Sequence, residues 1–128
     1  MDMNLKLSNQ DMINTLDIRR KFFHDIIKTS SLYLNKSSNL MNGINVEEEK
    51  LDKQFTRITS YFNYDIRKLK LKNDSKETVK SYLNSLINLH MHIKKRPSYE
   101  TKKRIEECKT SKKEVLNMIN SQDLIFNI

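Results

Sequence analysis

The three histidines are the residues best suited to acid-base or metal chemistry, and their spacing does not assemble a reactive site. His90 and His92 are two residues apart, so on a helix they point about 200° apart and cannot hold one metal ion together. His24 and Asp25 are adjacent, and adjacent residues do not face each other on a helix. We interpret all three histidines as structural or solvated residues.

The single cysteine and the single glycine argue against a cysteine nucleophile and a phosphate-binding loop. No motif places Cys108 beside a histidine base, so we interpret it as a small, partly buried residue whose neighbour Lys109 could lower its pKa. Gly43 stands alone, which excludes a glycine-rich phosphate loop, and no paired histidine and carboxylate motif of the zinc-hydrolase kind occurs. We therefore predict that the protein is not an enzyme and needs neither a cofactor nor a metal.

A basic cluster between residues 94 and 113 carries most of the net charge of +8. It could contact phosphates and give salt-dependent affinity for nucleic acid, although Tyr99 is the only aromatic residue nearby and offers no stacking platform. Abundant lysine, asparagine and isoleucine without any alanine is also typical of an AT-rich genome, so ordinary surface lysines are the alternative. The candidate nucleic-acid contacts are Lys94, Lys95, Arg96, Lys102, Lys103, Arg104, Lys112 and Lys113.

The elements that must position these residues are helices. One glycine, one proline and no tryptophan argue against a sheet, and 128 residues with 37% hydrophobic content suit one core. We expect a compact all-α bundle of four to five helices with a long N-terminal helix. Residues 1–45 would form a helical arm, and residues 46–128 the bundle.

Apolar residues three and four positions apart set the bounds of the predicted helices. Ser37 to Gly43 form the clearest loop. Asp74 or Ser75 caps the third helix, with Glu77 closing a capping box on Asp74. The first helix is predicted at about 9–34 and the second at about 47–70, and the third carries apolar residues from Val79 to Ile93. After a turn around Pro97, Ser98 caps a fourth helix that runs to about Glu107, and Thr110 or Ser111 caps a fifth that contains Val115, Leu116 and Ile119. At the tail, Leu124, Ile125 and Phe126 either pack back on the bundle or fray.

The chain has the composition of an intracellular protein. One cysteine cannot form an intrachain disulfide, and residues 1–30 mix charged with apolar positions, unlike a signal peptide. No run of about 20 apolar residues predicts a membrane span. We predict a nuclear or cytoplasmic protein without a membrane partner.

The stretch from about Phe55 to Met118 resembles the integrase-binding domain of lens epithelium-derived growth factor, within the family of helical domains typified by the N-terminus of elongation factor TFIIS. The similarity starts at Arg57-Ile58 and Leu69-Lys70-Leu71. It continues along the third helix with the spacing of five apolar residues, Leu83, Leu86, Leu89, Met91 and Ile93. Around the last interhelical connection the matching positions are Lys103, Ile105, Lys109 and Ser111.

This resemblance implies a scaffold that binds short, disordered acidic and aromatic motifs of chromatin or transcription proteins between two interhelical loops. It assigns Leu71 and Lys72 to the first loop and Cys108, Lys109 and Thr110 to the second. Lys72 replaces the family's carboxylate and Cys108 its aromatic anchor, while Asp74 could take over the carboxylate's role.

Three functions therefore remain open for this chain. The leading prediction is a protein-interaction scaffold, and the second is a basic nucleic-acid-binding domain. The third is a structural subunit of a larger helical assembly that oligomerises through its N-terminal helix, for which Phe22 and Phe23 are the residues to inspect.

Overall fold

The computed structural model describes residues 9–64, 66–95 and 99–120, and within them it confirms the all-α prediction. Four α helices follow one another, without strands in these ranges. Two short 3₁₀ turns, Tyr61–Asn63 and Ile66–Leu69, connect the second helix to the third. The helices are α1 (Asn9–Met41), α2 (Glu48–Ser60), α3 (Asn73–Lys95) and α4 (Tyr99–Asn120).

The first helix is longer than predicted, because the polar residues from Ser37 onward continue it. The Ser37 hydroxyl donates to the Tyr33 carbonyl at 2.9 Å, so it is satisfied inside the helix. Gly43 then ends α1 with a φ of 78°. The Gly43 N–H bonds to the Leu40 carbonyl and the Ile44 N–H to the Asn39 carbonyl, which is the Schellman pattern. The predicted loop was wrong up to Met41 and correct at Gly43.

The second helix is shorter than predicted, since it ends at Ser60 and not near Lys70. The Thr59 and Ser60 hydroxyls donate to carbonyls three residues back, an interaction that competes with helical hydrogen bonds. The chain then turns through both 3₁₀ segments to Lys70, whose φ of 54° is left-handed. This turn brings Leu69 and Leu71 into the core.

Two predicted features of the last two helices were wrong. The Lys76 N–H bonds to the Lys72 carbonyl, so α3 begins before Asp74, and the capping box on Asp74 does not form. The predicted fourth and fifth helices are one helix, α4, because the Thr110 hydroxyl bonds to the Glu106 carbonyl at 3.0 Å instead of capping a new helix. Pro97 and the predicted tail contacts at residues 124–126 lie outside the described residues.

All four helices contribute to one hydrophobic core. Phe22, Phe23, Ile26, Tyr33 and Leu34 of α1 are buried in the same cluster as the leucines of α3 and the inner face of α4. The first helix is therefore part of the bundle, and the core does not divide near residue 45. Phe22 and Phe23 are core residues, 6% and 4% exposed.

A buried arginine joins α1 to the connection between α2 and α3. The Arg19 side chain is 1% exposed, and its guanidinium donates to the carbonyls of Leu69 and Lys70. Burial also lowers the pKa of this group. The left-handed backbone at Lys70 orients both carbonyls toward α1, so one side chain satisfies two acceptors that the 3₁₀ turn leaves free.

We expect Arg19→Met to lower the free energy of unfolding by about 2–4 kcal/mol, because two buried carbonyls would lose charge-assisted hydrogen bonds. Urea denaturation monitored by circular dichroism measures this change. Arg20→Met is the matched control: Arg20 is 78% exposed and pairs with Asp17 at 3.7 Å, so its loss should cost less than about 0.5 kcal/mol. Equal losses in the two variants would contradict the role of Arg19.

Candidate partner-binding surface

The residues assigned to two binding loops do not form one surface. Leu71 and Cys108 are buried in the core. Lys72 and Asp74 are exposed at the start of α3, whereas Lys109 and Thr110 are exposed in the middle of α4.

The distance between the two sets follows from the packing of α3 on α4. The Cys108 thiol contacts the Ser85 carbonyl at 3.2 Å, and Ser85 lies eleven residues after Asp74, or about 16 Å along α3. The second loop does not exist, since residues 108–110 are helical. The structure thus separates the two groups that the resemblance brings together.

The described part of the basic cluster is spread around α4. Lys102, Lys103 and Arg104 occupy successive positions, which point about 100° apart on a helix. Arg104 pairs with Glu107 at 3.2 Å, and Lys109 pairs with Glu106 at 3.5 Å. Arg96 and the side chains of Lys94 and Lys95 lie outside the description. Lys102, Lys103 and Arg104 therefore do not share one face of α4, and carboxylates lie beside Arg104 and Lys109.

An apolar groove lies where the first half of α1 meets the end of α4. It has a volume of 460 Å³, within the range of small-ligand and peptide-anchor pockets. Basic or titratable side chains, Arg19, Arg20 and His24, line its α1 side. Its apolar walls are Leu16, Phe23, Ile27, Leu116 and Ile119.

A second depression of 350 Å³ lies at the other end of the same α1–α4 contact. It is lined by Ser38, Met41, Asn42, Lys102, Ile105, Glu106 and Lys109. The end of α1 thus meets the start of α4, so the two helices are antiparallel and the depressions share one seam. From residue 102 to residue 119 this α1–α4 seam is about 26 Å long. That length matches a helix of four to five turns.

Reactive side chains are concentrated inside the bundle. The Tyr33 hydroxyl lies 2.7 Å from His90 Nδ1, and His90 Nε2 lies 3.3 Å from a carboxylate oxygen of Asp52. The carboxylate favours a proton on Nε2, which leaves Nδ1 to accept the Tyr33 hydroxyl proton. The Phe55 ring stacks on the imidazole at a centroid distance of 3.8 Å. This array joins α1, α2 and α3; Tyr33 and His90 are buried in it, whereas the Asp52 side chain is 44% exposed.

Two further polar contacts tie α3 to its neighbours. The Tyr82 hydroxyl donates to the Ser30 hydroxyl at 2.6 Å, and Cys108 donates to the Ser85 carbonyl. Burial raises the pKa of Tyr33 and Tyr82, and it raises the pKa of the Cys108 thiol to about 11. The expected lowering of the Cys108 pKa by Lys109 was wrong, because desolvation outweighs nearby charges.

The described residues contain neither a cluster of metal ligands nor a membrane-spanning helix. They contain no group of three or more histidine, cysteine, aspartate or glutamate side chains able to hold a metal ion. None of their helices combines the length and apolar character that crossing a bilayer requires.

The sequence did not predict the groove, although it did predict that the residues of its apolar walls face inward. Leu16, Phe23 and Ile27 belong to the predicted stripe of α1, and Leu116 and Ile119 to the predicted last helix. Periodicity identifies an inward face but does not tell which of its residues the neighbouring helix leaves partly uncovered. Only the packing of α4 on α1 shows this.

The Tyr33 hydroxyl should stabilise the fold through His90. We expect Tyr33→Phe to cost about 1–2 kcal/mol of unfolding free energy, because it leaves Nδ1 of a buried ring without a donor. In a His90→Leu background the same change should cost about 1 kcal/mol less. Urea denaturation of the four chains in this double-mutant cycle gives the coupling, and identical costs in both backgrounds would refute it.

Stability should fall in alkaline solution. The unfolded chain releases the Cys108 proton near pH 9.0, while the folded chain keeps it until about pH 11. Stability present below pH 9 is therefore lost between these values, at about 1.4 kcal/mol per pH unit for this group. Tyr33 and Tyr82 add to the loss above their ordinary value of 10.0. Urea midpoints from pH 8 to 10.5 test this, and Cys108→Ala should reduce the slope between pH 9 and 10.

No protein-family model, curated protein or solved structure matches this chain. The α1–α4 seam, the buried polar contacts and the surface charges are therefore the features from which a function can be inferred.

Proposed function

We propose that this chain is a non-enzymatic protein-interaction scaffold that binds an acidic, amphipathic helical segment of a partner along the α1–α4 seam. The observation that carries the proposal is the 460 Å³ groove between α1 and α4, in which four of the five apolar wall residues remain partly exposed. A helix laid in a groove is a common mode of peptide recognition.

The apolar walls supply the anchoring part of this interaction. Leu16, Ile27, Leu116 and Ile119 are only partly buried, so a partner side chain would remove more of their surface from water. Each square ångström of apolar surface buried in this way contributes about 25 cal/mol. Apolar residues at spacings of three and four on the partner would meet such a groove.

The charges along the seam favour an acidic partner. Arg20 and His24 lie at the α1 edge of the groove, and Lys102 and Lys109 line the depression at the other end. Lys112 and Lys113 lie on α4 between the two depressions. Among the residues that line the two depressions, the one carboxylate is Glu106, in the depression that Lys102 and Lys109 line. Such complementarity speeds association and selects partners more than it raises affinity.

The cellular setting of the proposal comes from the family resemblance alone. It favours a chromatin or transcription partner and a nuclear location. The binding surface differs from the one the resemblance implies, because residues 108–110 are helical and Leu71 is buried. The α1–α4 seam takes the place of the two loops.

Direct nucleic-acid binding by the basic residues of α4 is the alternative. The carboxylates of Glu106 and Glu107 beside Lys109 and Arg104 weaken the attraction for phosphates. A steep loss of binding with salt, together with sensitivity to reversing Lys102, Lys103 and Arg104, would distinguish this function from peptide binding.

Site-specific photo-crosslinking tests the proposed seam. Benzoylphenylalanine replaces His24 at the groove edge in the full chain, and replaces Lys80 on the exposed side of α3 as the positional control. Both chains are irradiated in an extract of the cells that express the protein, with and without prior nuclease treatment. We expect a protein adduct at position 24 only, on a partner segment with an apolar stripe and several Asp or Glu residues.

A matched pair of leucine substitutions provides the specificity control. Leu116→Asp places a charge in the groove and should reduce the adduct at least about tenfold, whereas Leu32→Asp alters an exposed leucine of α1 that does not line it. Nuclease-sensitive adducts would support nucleic-acid binding instead. Adducts to residues 121–128 of the same chain or to a second copy, or no adduct specific to position 24, would reject the proposal.

A further inference from the structure

A separate pocket lies on the opposite side of α1 from the groove. It has a volume of 310 Å³ and is bounded by one stretch of α1 and by the chain just after α2. Its lining residues are Ile18, Lys21, Phe22, Asp25, Tyr61 and Tyr64. The volume is at the lower end of the range for small-ligand sites, so the pocket suits a small group.

Three aromatic rings form adjoining walls of this aromatic pocket. The Phe22 and Tyr61 rings are 5.6 Å apart and nearly perpendicular, at 79°. The Tyr64 ring lies 5.2 Å from Phe22 at a smaller angle of 37°. Aromatic faces carry partial negative charge, so rings that meet at a corner attract a cation placed between them.

A carboxylate adds formal negative charge to the same pocket. Asp25 is half-buried and lines the pocket one turn after Phe22. Within the described ranges no basic side chain lies within ion-pair distance of it, including Lys21, four residues earlier on the same helix. Lys21 is exposed, and its flexible stem allows the ammonium group to remain in water.

We propose that the aromatic pocket binds an alkylammonium group, with the rings of Phe22, Tyr61 and Tyr64 facing its methyl groups and Asp25 providing the counter-charge. A quaternary or methylated ammonium ion is weakly hydrated and fits an aromatic corner better than a primary ammonium does. This site does not depend on the partner-binding role of the α1–α4 seam, because the two surfaces lie on different faces of α1.

Titration of the full chain with choline and with its neutral carbon isostere, 3,3-dimethylbutan-1-ol, tests the charge requirement. The tyrosine ring signals in the NMR spectrum report binding at Tyr61 and Tyr64. We expect choline to bind at least about fivefold more tightly than the isostere, which has the same shape without the charge. A short peptide with trimethyllysine, compared with its unmodified form, then shows whether the group is carried by a small molecule or by a lysine side chain.

Substitutions on α1 locate the site. Asp25→Asn should weaken choline binding about fivefold, whereas Asp17→Asn, which changes a carboxylate paired with Arg20, should leave it unchanged. Lys21→Met should tighten binding, because it removes a like charge from the pocket lining. Equal affinities for choline and the isostere, an Asp25→Asn chain that binds as tightly as the native one, or tyrosine signals that no cation perturbs would each overturn the proposal.

Discussion

The burial of the Arg19 guanidinium constrains the rest of this bundle. A buried cation must be compensated by acceptors, and here the acceptors are the carbonyls of Leu69 and Lys70 at the end of the second 3₁₀ turn. Their position fixes the α2–α3 connection against α1. Phe22 consequently meets Tyr61 and Tyr64 on one side of α1, while Phe23 and Leu16 turn toward α4 on the other. The aromatic pocket therefore lies against the segment that Arg19 anchors, and Arg19 itself lines the α1–α4 groove.

Polar contacts inside the core then specify how the helices are aligned. Leucines spaced three and four apart allow one helix to slide along another by a turn at modest cost, because apolar contacts are not directional. The contacts of Tyr33 with His90 and of Tyr82 with Ser30 are directional, and each joins α1 to α3. A shift of one turn would leave these buried groups without partners, at about 1–3 kcal/mol for each group. The polar contacts thus select one alignment among several that the hydrophobic pattern permits.

Local signals in the sequence predicted the helical class and the general course of the chain, but long-range contacts decided several boundaries. Gly43 ends α1 for a local reason, its positive φ, and was found correctly. Serine and threonine at positions 37 and 110 looked like loop or cap residues, yet each bonds to the carbonyl four residues earlier within a continuous helix. The position of the chain at Leu69 and Lys70, after α2 has ended, involves contact with Arg19 about fifty residues earlier, which no local pattern reveals. The grooves were unpredictable for the same reason, since they exist only between helices.

Most of the potentially reactive side chains are buried in the bundle, whereas charged, apolar and aromatic side chains line its surface depressions. Tyr33, Tyr82 and Cys108 are fully buried, and the raised pKa of each keeps it protonated and unreactive near neutral pH. His90 is stacked between helices and serves the same structural purpose. The surface depressions around α1 instead combine apolar walls with arginine and lysine, or aromatic rings with a carboxylate. Such linings suit the binding of charged, partly apolar groups, which is the function proposed for them. Binding is therefore the activity that this arrangement of residues supports best.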